Sequence, residues 1–177
     1  MKIAWLDVES NGLKPPTNKL LQVACIVTDD DLNILDETGY EAKVFYTATE
    51  IVELKKVAVP FVLDMHENTG LWSQLEQGKP LSTVDSELHE YLSRFAEKEE
   101  AWLGGNSITL DRNFIDEYLP SSAGHLSYQS IDVTSVAGLA KAWYDGLYFE
   151  KAYLHEAMSD IRESIEQLRW FRKRVFK

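Results

Sequence analysis

Two acids stand one residue apart in K-I-A-W-L-D-V-E-S-N-G-L, residues 2–13. The run Ile3-Ala4-Trp5-Leu6 has the character of a sheet centre. Side chains alternate along a strand, so Asp7 and Glu9 share one face. Two carboxylates that close repel unless something compensates, either surface salt bridges or a metal ion. A third acid, Asp111, lies in G-G-N-S-I-T-L-D-R-N-F and opens a helical pattern. It either complements the helix dipole or joins a site. A fourth lies in L-H-E-A-M-S-D-I-R-E-S-I, residues 154–165. There Asp160 and Glu163 have the spacing of a capping box, and His155 reads equally as a surface histidine. On one continuous helix His155 would be rotated from Asp160 by about 140°. The two converge more easily with His155 on the loop entering the helix.

The acids say more together than singly. Four carboxylates from a strand, a helix start and a later helix make the all-oxygen donor set that Mg²⁺ or Mn²⁺ prefers. Two such ions offset the four charges. They can hold a phosphodiester, activate water and stabilise the leaving oxygen.

The elements that must carry these residues follow from pattern. Strands are expected at 2–9, 19–28 and 33–46, and their short links suggest an antiparallel meander. Asp29-Asp30-Asp31 is a solvated turn. Leu88, Tyr91, Leu92 and Phe95 predict a helix over 82–98, with Ser82 or Thr83 as cap. A short strand, Ala101–Gly105, precedes a helix over 111–118 that Pro120 stops. Another strand is expected at 128–133, followed by the helix T-S-V-A-G-L-A-K-A-W. Ile161, Ile165, Leu168, Phe171 and Val175 mark the packing stripe of a last helix. The order predicts an α/β fold, a mixed sheet covered by helices.

The 177 residues suit one domain, 1–177, and 45% hydrophobic with 27% charged residues is an ordinary globular composition. No run approaches the ~18 apolar residues of a membrane span, and no secretory signal pattern opens the chain. Cys25 reads as a small buried hydrophobe, and a cytoplasmic location is the expectation. The net charge of −11 leaves no general surplus for gripping long nucleic acid, so a nucleic-acid substrate should be short. The basic run R-W-F-R-K-R-V-F-K, 169–177, complements a helix C-terminus or serves the substrate.

The motifs resemble those of the oligoribonucleases, in the DEDDh group of 3′-to-5′ exonucleases with an RNase H-like fold. W-L-D-V-E-S-N-G-L matches the first motif, G-N-S-I-T-L-D-R-N-F the second and H-E-A-M-S-D-I-R-E-S the third. L-N-I-L near 32 and I-D-V-T-S at 131 extend the likeness over nearly the whole chain. His155 stands five residues before Asp160; Glu156 stands where the tyrosine subgroup carries Tyr. The resemblance implies cleavage of RNAs of two to five nucleotides, dinucleotides included, by a homodimer. It implies that Asp7, Glu9, Asp111 and Asp160 bind two Mg²⁺ or Mn²⁺ ions and that neutral His155 takes a proton from the attacking water. An imidazole pKa near ~6.5 suits that task. By the same likeness Leu13 wedges between two bases and Phe61 stacks where the family usually has Trp. His66 and Ser107 hold the 5′ phosphate end, and Tyr128 comes from the partner subunit.

Two positions depart from the family pattern. Gln129 stands where Arg is usual, so a neutral amide replaces a bidentate cation. Leu110 stands for a usual Gln before Asp111. Two alternatives stay open: a DEDDh exonuclease trimming longer single-stranded DNA or RNA, and a nucleotide-binding module without turnover.

Overall fold

The computed structural model describes residues 1–150 and 156–176. Among them lie strands β1 (Lys2–Ser10), β2 (Leu20–Asp29), β3 (Tyr40–Lys43), β4 (Ala101–Gly105) and β5 (Ser130–Asp132). The helices are α1 (Ala48–Lys56), α2 (Pro60–Asn68), α3 (Leu71–Gln74), α4 (Leu81–Ser93), α5 (Thr109–Tyr118), α6 (Pro120–Ala123), α7 (Val133–Trp143) and α8 (Ala157–Arg174). The strands form one sheet in the order β3-β2-β1-β4-β5. β1–β2 and β2–β3 pair antiparallel, whereas β1–β4 and β4–β5 pair parallel. This is the mixed, helix-flanked sheet that the sequence predicts.

The alternation along β1 sorts the molecule into layers. Ala4 and Leu6 face a core closed by Val84, Leu88 and Leu92 of α4 and by Phe114 and Ile115 of α5. Ile3 and Trp5 face the other way, against Ile161 and Ile165 of α8. β2 is buried on both faces and therefore reads as a continuous apolar run. Its buried Thr28 accepts the Trp5 indole N–H at 2.9 Å, which satisfies a polar group deep in the α8 face.

Several boundaries differ from the expectation. The stretch 33–46 is not one strand: Ile34 makes an isolated bridge to Thr28, and regular pairing resumes only at Tyr40. The cause is a turn in which Asp36 accepts the Thr38 N–H and Gly39 adopts φ +67°. A Cβ on Gly39 would meet the Cys25 carbonyl at 2.8 Å. α4 is capped by Pro80 rather than Ser82 or Thr83, because the Pro80 carbonyl already accepts the Thr83 and Val84 amides. Pro120 ends α5 as expected, yet it also opens α6, a first-turn position that suits its missing N–H. Between residues 47 and 80, where the sequence predicts no helix or strand, lie α1 to α3. A Thr47–Glu50 capping box marks the first of them.

Asp85 pins α4 to α6. It accepts the Ser121 and Ser122 amides at 3.0 and 2.9 Å and the Ser122 hydroxyl at 2.8 Å. Burial works against its ionisation, but these hydrogen bonds outweigh that and hold its carboxyl below the usual range. Asp85→Asn should therefore cost about 1.5–3 kcal/mol at pH 7, the usual worth of hydrogen bonds to a charged group. A depressed pKa gives stability that is present above the unfolded-state value and lost as pH falls through the folded-state value. Urea unfolding of both proteins should show the gap closing in acid; a gap independent of pH would contradict the assignment.

Candidate active site

The odd face of β1 changes character along its length. Ile3 and Trp5 are fully buried under α8, and the same row continues into Asp7 and Glu9. α8 starts at Ala157 with Glu156 as its cap residue, so Asp160 falls in its first turn. Glu156 gives no side-chain cap, and no Asp160–Glu163 capping box forms. Ala157, Ile161 and Ile165 seat the helix on the sheet and carry Asp160 to the end of β1. One carboxylate oxygen from each of Asp7, Glu9 and Asp160 lies within 4.8 Å of the others.

Asp111 stands beside this trio and is tied to it through backbone. The register of β4 along β1 runs only as far as Trp5. Asp111, in the first turn of α5, accepts the Val8 N–H at 3.0 Å. The residue between the paired acids of β1 is thus anchored by the acid of α5.

The electrostatics are those of a site short of positive charge. Burial, then the charges of Asp160 and Asp111, push the Glu9 carboxyl up to about 8. Burial likewise raises Asp111, with Asp132 adding to the effect and the Val8 N–H opposing it. Oxygen-only donors this close suit a hard divalent cation, which would relieve the repulsion.

A bulge between Glu9 and Ser10 turns the chain out of the sheet beside the acids. The Ser10 carbonyl then takes a hydrogen bond from His66 Nε2 at 3.0 Å. A carbonyl only accepts, so Nε2 carries the proton. His66 is wholly buried, with its ring edge-on to Trp72 and Nε2 3.7 Å from Glu9. It also borders a cleft of about 210 Å³ that includes Glu9, Gln22, Glu41 and Lys43. The following turn is knotted by Asn11, whose side chain accepts the Lys19 N–H and donates to the Leu54 carbonyl. A Cβ on Gly12 would strike the Asn18 amide at 2.5 Å. From this turn Leu13 projects 58% exposed; Phe61, in the first turn of α2, is 67% exposed.

Ser107 lies at the end of β4 with φ +52°, its amide held by Asp132 Oδ1 and Thr134 Oγ1, each at 3.0 Å. Tyr128 is 89% exposed. The Ser127 amide bonds the Ala101 carbonyl, and Ala101 pairs with Lys2. Tyr128 therefore sits near the far end of the sheet, level with Ile3 and roughly 13 Å from Asp7 along the strands at ~3.3 Å per residue, with two strand spacings to cross as well. It cannot serve the acids of its own chain. Gln129 is half-buried, with its carbonyl accepting the Leu103 amide. His155 lies outside the described residues. The sequence reading gave no role to Asn106, Thr134 and Ser164, which join one hydrogen-bond chain ending at the Asp160 carbonyl. The signal was present, since Asn106 is part of G-N-S-I, but its partners are 28 and 58 residues away.

Residues 4–168 match the exonuclease family RNase_T. An oligoribonuclease of Rhodococcus jostii is 36% identical over 180 residues, covering 99% of this chain and 88% of that protein. An oligoribonuclease of Leifsonia xyli is 35% identical over 179 residues, covering 99% and 84%. That of Francisella tularensis is 33% identical over 175 residues, covering 98% and 95%. Among solved structures, a zinc-bound Escherichia coli exonuclease I–single-stranded DNA complex superposes with a TM-score of 0.73 at 15% identity, covering 98% of this chain. The chain spans 41% of that longer protein's length, and the likeness carries the RNase H-like fold. Family match and near-full-length identity agree with the placing of the acids: the chain belongs to the exonuclease family, among its oligoribonucleases.

Proposed function

We propose that residues 1–177 form a single exonuclease domain that hydrolyses RNAs of two to five nucleotides from the 3′ end to mononucleotides. The observation that carries the reading is the convergence of Asp7, Glu9 and Asp160 within 4.8 Å, with Asp111 tied in through Val8. Divalent-metal dependence follows from the family and from this cluster. Two ions, Mg²⁺ or Mn²⁺, held by the four carboxylates would supply a polarised phosphodiester, an activated water and a stabilised leaving oxygen. His155 would take the proton of the attacking water.

The remaining residues set length. Leu13, two residues after Asn11, and Phe61, two residues after the Val59 whose amide bonds the Asn11 carbonyl, are both exposed and offer apolar surface for two bases. Ser107 and His66 would act at the 5′ phosphate end. Tyr128, too far from its own acids, would reach the neighbouring site in a homodimer, with Gln129 beside it. The enzyme would work in the cytoplasm; among the described residues no helix is long and apolar enough to cross a membrane. Trimming of longer single strands remains the second reading, favoured by Gln129, because an amide pairs less strongly with phosphate than Arg does.

Two predictions test this account. The raised Glu9 carboxyl favours the protonated fold, so it contributes no penalty below the unfolded-state value near 4.5. The penalty grows as pH rises toward about 8. The Tm of metal-free protein should fall over that window relative to Glu9→Gln, and saturating Mg²⁺ or Mn²⁺ should remove the fall. A wild type that tracks Glu9→Gln at every pH, with no response to metal, would sink the cation site. The second concerns length: kcat/KM measured on 5′-phosphorylated RNAs of two to ten nucleotides should favour the shortest. Gln129→Arg should sharpen the preference for dinucleotides by about 1.5–3 kcal/mol. Equal efficiency at all lengths, unmoved by Gln129→Arg, would promote the general-trimming reading.

A further inference from the structure

Asp111 and Asp160 stand on helices that pack on opposite faces of the sheet. Phe114 and Ile115 of α5 belong to one core, and Ile161 and Ile165 of α8 to the other. Apolar packing alone fixes neither helix to the tolerance that metal ligands need, about 0.5 Å. A polar chain runs between the two layers. Asn106 Nδ2 donates to Ser164 Oγ at 2.7 Å, and Ser164 Oγ donates to the Asp160 carbonyl at 2.8 Å. Ser164 has one hydroxyl hydrogen and spends it on a carbonyl, so Asn106 must present its NH₂ group. On the other side Asn106 Oδ1 accepts the Thr134 hydroxyl at 3.1 Å. Both ends of the amide are therefore committed, and its orientation is set.

The location gives this chain its consequence. Asn106 directly follows β4 and opens the turn that enters α5, five residues before Asp111. Ser164 is 5% exposed, one turn beyond Asp160 on α8. The bond thus joins the connection leading to Asp111 with the peptide group of Asp160 itself. We propose that Asn106 and Ser164 are positioning residues, whose hydrogen bond holds the first turn of α8 in register with the α5 entry so that the carboxylates match a divalent cation. This rests on the metal-dependent function proposed above. Neither side chain is needed as a ligand, and both act through Asp160.

The test is Mn²⁺ affinity, followed by electron paramagnetic resonance, for wild type, Asn106→Ala, Ser164→Ala and the double variant. Urea unfolding of the metal-free proteins runs in parallel. Partners of metal ligands typically carry 10–100-fold in affinity, so each single variant should weaken Mn²⁺ binding by about that factor. The double variant should lose clearly less than the two singles combined, because the Asn106–Ser164 bond is removed in all three. Hydrolysis of a dinucleotide should fall at limiting Mn²⁺ and recover as Mn²⁺ is raised. Ser164→Ala places alanine inside a helix and so remains informative if Asn106→Ala does not fold. Unchanged Mn²⁺ affinity with only the urea midpoint moved, or losses that simply add, would overturn the positioning role. A wild type that binds no Mn²⁺ would overturn the proposed function itself, and this inference with it.

Discussion

Carboxylates crowded into a partly buried space are the constraint on which the rest of the structure turns. Desolvation and like charge both favour neutral Glu9. The fold holds the group there all the same, because the row Ile3–Trp5–Asp7–Glu9 is set by a strand whose other residues are committed to two cores. A one-residue slip of β1 would move the acids to the other face and send each of its apolar side chains into the wrong core. The repulsion is thus locked in by burial elsewhere, and a divalent cation is the natural means of relieving it.

The surrounding elements read as devices for bringing acids to the end of β1. The register of β4 along β1 stops at Trp5, and the Val8 amide donates to Asp111. The bulge at Glu9/Ser10 ends regular pairing beside the acids and starts the turn that carries Leu13. Buried His66 braces the Ser10 carbonyl from below. α8 delivers Asp160 in its first turn, where the helix dipole favours negative charge. Each device is local, yet each is anchored by contacts far away in the chain.

That contrast explains what could be read from sequence. The shared face of Asp7 and Glu9 follows from a period of two, and the stripe of α8 from a period of 3.6, so both were legible. Strand 33–46 was misread because its alternation continues through Gly39, whose φ of +67° is a tertiary matter of fitting against Cys25. Helices α1 to α3 are short and their apolar faces small, which leaves little periodicity to detect. At Asp160 the capping-box spacing pointed to a local role. The helix instead begins at Ala157, and the Asp160 side chain lies with the acids of β1. The Asn106–Ser164 bond, across 58 residues, has no signature in either segment alone.

The central claim is that burial and mutual repulsion hold protons on this cluster until a cation replaces them. Calorimetry of Mn²⁺ binding near pH 7, in buffers of different ionisation enthalpy, counts those protons directly. Glu9, with its carboxyl near 8, should be largely protonated when metal-free and should give up its proton as metal binds. The account predicts proton release at pH 7 that fades above about pH 9 and is diminished in Glu9→Gln. Tight Mn²⁺ binding with no proton release at any pH between 6 and 9, or release unchanged in Glu9→Gln, would contradict it.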